Sequence, residues 1–124
     1  MKILPNIRIP LPKEDYSHAW YKFYIYLKHD YLTKNINRDK ILKKLINKGI
    51  PAFSGSCSEI YLEKCFSDRG LQPIKELKYA KELGETSLMF LVHPTISIEQ
   101  MRDYADAIRL VLEESWKSCV NEKK

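Results

Sequence analysis

The run Ser-Leu-Met-Phe-Leu-Val at residues 87–92 constrains the fold more than any other segment of this sequence. Every position from Leu88 to Val92 is apolar, which is typical of a strand buried on both faces. Gly84 precedes this run, and His93-Pro94 follows it and would end the strand. The rest of the chain is therefore expected to cover both sides of one central strand.

A second strand is predicted between Trp20 and Leu27, where side chains alternate between two faces. One face suits the core and carries Tyr21, Phe23, Ile25 and Leu27. The other face carries Trp20, Lys22, Tyr24 and Tyr26. Because aromatic rings with polar ends suit a contact surface, we expect this second face to be covered by another domain, another subunit or a second copy in a homodimer.

The helices are recognised by their ends. Asn37 predicts the cap of a helix over residues 38–48, which Gly49 would end in the left-handed conformation. Ser97 and Gln100 form a capping box before the strongest helical pattern of the chain. Three shorter elements are predicted between them: a strand at residues 50–53, a helix at residues 59–66, and a helix within residues 73–83 that ends at Gly84.

The order of these elements is β-α-β-α-α-β-α. It predicts one α+β domain, a small and mostly antiparallel sheet of three or four strands with helices packed on one face. We expect the domain to occupy residues 18–117. Residues 1–17, which contain three prolines, are expected to form an extended segment, and residues 118–124 a flexible tail.

Composition fits a globular protein. Apolar residues make up 44% of the 124 residues and charged residues 30%, and no apolar run approaches the ~20 residues of a membrane span. The apolar stretch at the start of the chain is too short for a signal peptide, because Pro5 interrupts it. A cytoplasmic location is therefore expected. Cys57, Cys65 and Cys119 are odd in number and lack C-x-x-C spacing, which favours free thiols over a disulfide framework.

The formal charge of +5 is dispersed along the chain. Its main cluster lies on one predicted helix, whose solvated face would carry Lys40, Lys43, Lys44 and Lys48. Aromatic and basic residues do not interleave as a base-stacking surface requires. We therefore expect no nucleic-acid partner.

The loop Gly55-Ser56-Cys57-Ser58-Glu59 is the most informative polar motif. Ser56 and Glu59 have capping-box spacing, so a helix is expected to begin near Cys57 or Ser58. A glycine-containing loop before a helix presents free N–H groups and a positive dipole end, which suits a phosphate-like anion. The alternative is that Ser56 only caps the helix.

His93 stands between the buried strand and a helix cap, where it either contacts a ligand or has a structural role. A cysteine hydrolase would require Cys57 and His93 to meet, together with an orienting third group. His18 is expected to hold its strand to a neighbouring loop. The histidines and cysteines lack metal-ligand spacing, and no lysine has a context typical of a Schiff base. We therefore assign no catalytic, cofactor-binding or metal-binding residue.

Two motifs together resemble a known family: Gly55-Ser-Cys-Ser-Glu-Ile-Tyr61 and Gly84-Glu-Thr-Ser-Leu-Met-Phe-Leu-Val-His-Pro-Thr95. They are similar to the C-terminal part of DegT-type sugar aminotransferases, pyridoxal-phosphate (PLP) enzymes of fold type I. The likeness runs from about His18 to about Leu112 and follows the family's order of elements. It implies the fold of the small domain of these enzymes.

The resemblance also implies a function. The chain would be the C-terminal small domain of a PLP-dependent nucleotide-sugar aminotransferase serving surface-polysaccharide or sugar-modification pathways. The PLP lysine would lie in a large N-terminal domain or a second subunit, so this chain alone would bind no cofactor and would be inactive. Gly55, Ser56, Cys57, Ser58 and His93 would border the substrate. The alternative is a stand-alone, non-catalytic binding module derived from such a domain.

Overall fold

A four-stranded antiparallel sheet forms the centre of the protein. The computed structural model describes residues 4–55 and 57–122, with side chains through Lys117. The strands are β1 (Ile7–Arg8), β2 (Lys22–Leu27), β3 (Ala52–Phe53) and β4 (Ser87–Leu91). Their order across the sheet is β1-β2-β4-β3, and every neighbouring pair is antiparallel.

Four α-helices accompany the sheet. They are α1 (Arg38–Asn47), α2 (Lys64–Ser67), α3 (Lys78–Thr86) and α4 (Ile98–Glu122). Short 3₁₀ turns occupy His29–Tyr31 and Ile60–Leu62. The predicted α+β class, with a small antiparallel sheet, is confirmed. None of the helices in the described part of the chain is long and apolar enough to cross a membrane.

Strand β4 is the buried centre of the sheet, as its sequence predicts. It pairs with β2 on one side, with Ile25 opposite Leu88 and Phe23 opposite Phe90, and with β3 on the other. Its first four residues are all buried, although successive side chains point to opposite faces. Both faces of this strand are therefore covered, and both of its edges are hydrogen-bonded.

Helices α1 and α4 cover one face of the sheet and pack against each other. The core between them is formed by Ile25, Leu27, Ile41, Leu45, Ala52, Leu88, Phe90, Val111, Leu112 and Trp116. At the edge of the helix pair, Lys44 Nζ donates a hydrogen bond to Ser115 Oγ at 3.0 Å. Each helix thus turns apolar side chains toward the sheet, Ile41 and Leu45 from α1 and Val111 and Leu112 from α4.

The predicted helix ends are confirmed at both long helices. The Asn37 side chain accepts a hydrogen bond from the Lys40 N–H at 3.0 Å, and Gly49 adopts a left-handed φ of 76°. Ser97 Oγ accepts from the Gln100 N–H at 3.1 Å, while Gln100 Oε1 accepts from the Ser97 N–H at 3.0 Å. These reciprocal bonds are the capping box that the sequence indicates.

The predicted faces of the first strand are wrong at its start. Regular alternation begins at Lys22, and Trp20 before it has a φ of 49°, so the chain turns there. The Trp20 ring consequently lies 5.1 Å from the Phe23 ring, on the helix side of the sheet rather than with Tyr24 and Tyr26. Tyr21, expected in the core, is 79% exposed.

Regular structure also extends into both predicted terminal segments. Ile7 and Arg8 pair with Leu27 and Tyr26, so the segment predicted to be extended contributes an edge strand to the sheet. Helix α4 continues to Glu122, beyond residue 117, where the domain was predicted to end. The last two residues of the predicted tail lie outside the described residues.

Gly84 does not end a helix as predicted. Helix α3 continues through it to Thr86 and leads directly into β4. The reason for glycine is a close contact: a Cβ at position 84 would come within 2.7 Å of Ser58 Cβ and closer still to Ser58 Oγ. Glycine therefore lets the loop after β3 approach the end of α3.

Gly84→Ala should destabilise the protein, although alanine in an exposed helix normally stabilises by about 1 kcal/mol relative to glycine. The Cβ would push Ser58 away, and overpacking costs about 1–3 kcal/mol. Urea unfolding measures the change. Because removal of the Ser58 side chain eliminates both clashing atoms, Gly84→Ala should become stabilising in a Ser58→Gly background. Equal effects of Gly84→Ala in the two backgrounds would contradict this contact.

Candidate functional site

The loop after β3 is anchored at the end of the sheet where β4 begins. The Ser54 carbonyl accepts a hydrogen bond from Ser87 Oγ at 2.6 Å and another from Arg38 Nη1 at 3.2 Å. Ser87 is the first residue of β4, and Arg38 is the first residue of α1. A single backbone carbonyl thus joins the loop to a strand and to a helix that are distant in sequence.

Both the backbone conformation and the close surroundings of position 55 require glycine there. Its φ of 97° is one that side chains disfavour. A Cβ there would lie 3.1 Å from Tyr24 Cε1 and 3.2 Å from Ser87 Oγ. The loop therefore packs closely against the second face of β2, which is the face that the sequence assigns to Tyr24.

A polar pocket of about 450 Å³ lies beside this anchor. It is lined by His29, Leu32, Thr33, Lys34, Asn37, Arg38, Asp39 and Glu85. Arg38 connects the pocket to the loop, since its Nε donates to Asp39 Oδ1 at 2.6 Å while its Nη1 reaches Ser54. The pocket offers both hydrogen-bond donors and acceptors, as recognition of a hydroxyl-rich ligand requires.

The charges of this pocket balance. Lys34 and Arg38 are cationic, whereas Asp39 and Glu85 are anionic. Such a lining suits a polar ligand of low net charge better than a dense polyanion. The sequence did not reveal the pocket, because seven of its residues lie between positions 29 and 39 without a recognisable motif and the eighth, Glu85, comes from α3. Their grouping depends on the return of α3 to the end of β2.

The predicted helix start at Cys57 or Ser58 is wrong. The first regular turn after the loop is the 3₁₀ turn that begins at Ile60, and the expected single helix over residues 59–66 is split between this turn and α2. The Glu59 carboxylate accepts a hydrogen bond from the Tyr61 hydroxyl at 2.7 Å. The proposed capping partner, Ser56, lies outside the described residues.

The remaining loop residues make local contacts. Cys57 Sγ donates to Glu63 Oε1 at 3.6 Å, and Ser58 faces Gly84. Cys57 and Cys65 are both free and exposed. A ligand role for Gly55, Cys57 and Ser58 stays a prediction. The expected anion site at the N-terminus of a helix does not form, because only a 3₁₀ turn and the four-residue α2 follow the loop.

The structure separates His93 from this loop. Gly55 and Ser58 lie beside residues 84–87, which come before or at the start of β4, whereas His93 follows its last residue, Leu91. Six residues of extended chain from position 87 to 93 span about 20 Å. Cys57 and His93 therefore do not meet as a cysteine hydrolase requires.

The two histidines that the sequence analysis singled out, His18 and His93, make hydrogen bonds within their own turns. His93 Nδ1 shares a hydrogen bond with Thr95 Oγ1 at 2.7 Å and accepts from the Thr95 N–H at 3.3 Å. His18 Nδ1 accepts from the Trp20 N–H at 2.9 Å. His18 thus bonds its own turn rather than a neighbouring loop, and a ligand role for His93 stays a prediction. Across residues 4–55 and 57–117, no group of three or more histidine, cysteine, aspartate or glutamate side chains could hold a metal ion.

Tyr61 connects the loop to the segment before α3. Its hydroxyl donates to Glu59 and accepts from the Leu77 N–H at 3.3 Å. The hydrogen bond to the Glu59 carboxylate raises the pKa of Tyr61 above its usual value. At the start of α3, Lys81 Nζ bonds Glu76 Oε1 at 2.8 Å, which raises the pKa of Lys81. Polar contacts therefore hold the Tyr61 turn to the segment that leads into α3.

Comparison with solved structures identifies similar proteins. The chain matches an aminotransferase from Psychrobacter cryohalolentis at 44% identity and a TM-score of 0.81, covering 88% of this chain and 29% of that one. It also matches a DegT DnrJ EryC1 StrS aminotransferase from Brucella abortus at 18% identity, with a TM-score of 0.65, covering 84% of this chain and 26% of that one. DesV from S. venezuelae, solved with a ketimine intermediate, matches at 21% identity and a TM-score of 0.67, covering 86% of this chain and 26% of that one.

The matches to the Brucella enzyme and to DesV show a similar fold, whereas the Psychrobacter match extends to the sequence. No family model matches the chain, and no curated protein does. The chain spans less than a third of the length of the structures it matches. The predicted resemblance to the small domain of DegT-type aminotransferases is confirmed, and the extent of each match is consistent with that domain.

Tyr61→Phe should lower the free energy of unfolding, since the two hydrogen bonds of its hydroxyl are lost. Amide hydrogen exchange should accelerate at residues 59–77 and remain unchanged in β4. Tyr79→Phe, at a side chain 77% exposed, is the matched control and should alter neither quantity. Equal behaviour of the two variants would show that Tyr61 does not hold this segment.

Proposed function

We propose that this chain serves as the C-terminal small domain of a PLP-dependent nucleotide-sugar aminotransferase in a surface-polysaccharide or sugar-modification pathway. The observation that carries the proposal is the match to the Psychrobacter aminotransferase, which reaches 44% identity over 88% of this chain. The role of the chain is to form one wall of the substrate cleft and to orient the sugar nucleotide.

The described residues do not fit PLP. A Schiff-base lysine needs a position shielded from bulk water, opposite a phosphate cradle. No described lysine is buried, and Lys81 pairs at the surface with Glu76. In this proposal the cofactor belongs to the large domain or another subunit, and the present chain contributes binding and orientation.

The polar pocket is where the sugar nucleotide would contact this chain. Asn37 and Arg38 offer donors to hydroxyl or phosphate oxygens, while Asp39 and Glu85 offer acceptors to hydroxyl groups. Arg38 has a second effect, because its bond to the Ser54 carbonyl fixes the Gly55 loop at the pocket. Ligand binding and loop position are thereby coupled through one side chain.

A stand-alone binding module is the second candidate function. It is favoured by the pocket itself, whose lining combines hydrogen-bond donors and acceptors suited to a polar ligand. In that case the chain would bind a polar ligand without contributing to amino transfer. The two functions differ in whether the chain can replace the corresponding part of an active enzyme.

A chimera distinguishes these functions. The matched region of the Psychrobacter aminotransferase is replaced by this chain, and amino transfer is measured with that enzyme's own substrates. We expect a folded chimera that retains transfer, because the two domains share 44% identity and their backbones superpose closely. The isolated chain, mixed with PLP and borohydride, should give no adduct at a single lysine. A folded, PLP-loaded chimera without transfer, or a stoichiometric adduct on the isolated chain, would contradict the proposal.

Ligand binding by the isolated chain is a further prediction. Titration with a nucleoside diphosphate sugar should perturb amide shifts at residues 29–39 and at Ser54 and Gly55, with millimolar affinity, worth about 4 kcal/mol. Arg38→Gln should abolish these shifts, because the guanidinium donors and the loop anchor are both lost. Lys43→Gln, on the exposed face of α1, is the charge-matched control. Perturbation confined to residues 40–48 would indicate nonspecific charge attraction.

A further inference from the structure

An apolar groove separates the first half of α4 from the sheet. Its volume is about 440 Å³, and its walls include Trp20, Phe23, Phe90, Ala105 and Ile108. Among the described residues of the lining, the only charged side chains are Asp106 and Arg109, which pair with each other at 3.3 Å. The groove therefore offers almost no hydrogen bonds to a sugar or a phosphate, and it suits aliphatic and aromatic groups.

The groove exists because α4 packs on the sheet along only part of its length. Val111 and Leu112 are fully enclosed, whereas Met101, two turns or more before them, is 39% exposed. Tyr104 and Ala105 are half-buried at the groove wall. The first turns of the helix thus diverge from the sheet, and apolar side chains of both the helix and the sheet face the open groove.

The size of the groove sets the size of its occupant. An apolar cavity of about 150 Å³ accepts one benzene molecule, so this groove accommodates about three side chains of that size. Three apolar side chains on one face correspond to two or three turns of an amphipathic helix. A polypeptide segment therefore fits the groove better than a sugar or a nucleotide.

The path of the chain indicates where such a segment would come from. Leu4 is the first residue that the structure describes, and Leu4, Ile7 and Ile9 all line the groove. A polypeptide joined before this domain would start its path beside the groove. The matched region is 29% of the Psychrobacter enzyme, so most of that protein lies outside it and must contact this domain somewhere.

We infer that the groove receives the apolar face of an amphipathic helix from the large domain of the aminotransferase. This inference rests on the proposed function and adds the contact surface between the two domains. The groove and the polar pocket lie toward opposite ends of β4, since Leu91 and Val92 line the groove and Glu85 lines the pocket. Docking at the groove would therefore leave the polar pocket open to the cleft.

Ala105→Glu tests the inference in both the isolated chain and the chimera. In the isolated chain the new carboxylate can reach water through the open groove, so the melting temperature should change little. In the chimera it would be buried against the docked helix, and the melting temperature should fall by several degrees. Leu110→Glu, on the exposed side of α4, is the matched control and should leave both proteins unchanged.

A dye gives a readout that does not depend on activity. The isolated chain should enhance the fluorescence of 8-anilinonaphthalene-1-sulfonate, which binds exposed apolar surface, and Ala105→Glu should remove most of this enhancement. The chimera should show little enhancement, because the groove is filled. Strong enhancement by the folded chimera, again removed by Ala105→Glu, would overturn the inference.

The outcomes separate this inference from the proposed function. If the chimera transfers amino groups and Ala105→Glu does not change its melting temperature, helix docking is refuted and the proposed function stands. A folded but inactive chimera that Ala105→Glu destabilises would refute the function and support docking. If the isolated chain forms dimers in sedimentation that Ala105→Glu dissociates, a second copy covers the groove and the inference fails.

Discussion

The burial of β4 on both faces is the constraint on which the rest of the structure depends. Leu88 and Phe90 face the core under α1 and α4, while Ser87 and Met89 are buried on the opposite side of the sheet. Each large apolar side chain removed from water contributes about 1.5–3 kcal/mol. Because β4 also pairs with strands on both edges, neither neighbouring strand nor covering helix can move without exposing it.

The two ends of this strand have different chemistry. At its start, the Ser54 carbonyl gathers Ser87 and Arg38, and a polar pocket with balanced charges forms beside them. At its end, the strand opens into an apolar groove under the first half of α4. This separation suits a domain that contacts a ligand at one end and another protein surface at the other.

The sequence predicted the elements well and the site only in part. Caps at Asn37 and at Ser97 are local hydrogen bonds between residues three apart, so their spacing alone reveals them. The Ser56 and Glu59 spacing looked equivalent, but the first regular turn begins only at Ile60, and the Glu59 carboxylate bonds the Tyr61 hydroxyl. Gly84 was taken for a helix end, although its role is a contact with Ser58, 26 positions earlier in the chain.

The sequence by itself determined the class of fold, the buried strand, the two long helices and the likeness to aminotransferase small domains. These follow from local periodicity, capping and motifs, which are properties of neighbouring residues. Only the tertiary structure decided that Arg38 reaches the Gly55 loop, that His93 follows the opposite end of β4 from that loop, and that Trp20 turns toward the helices. Those facts depend on strand register and on one left-handed backbone angle, which no local pattern of side chains specifies.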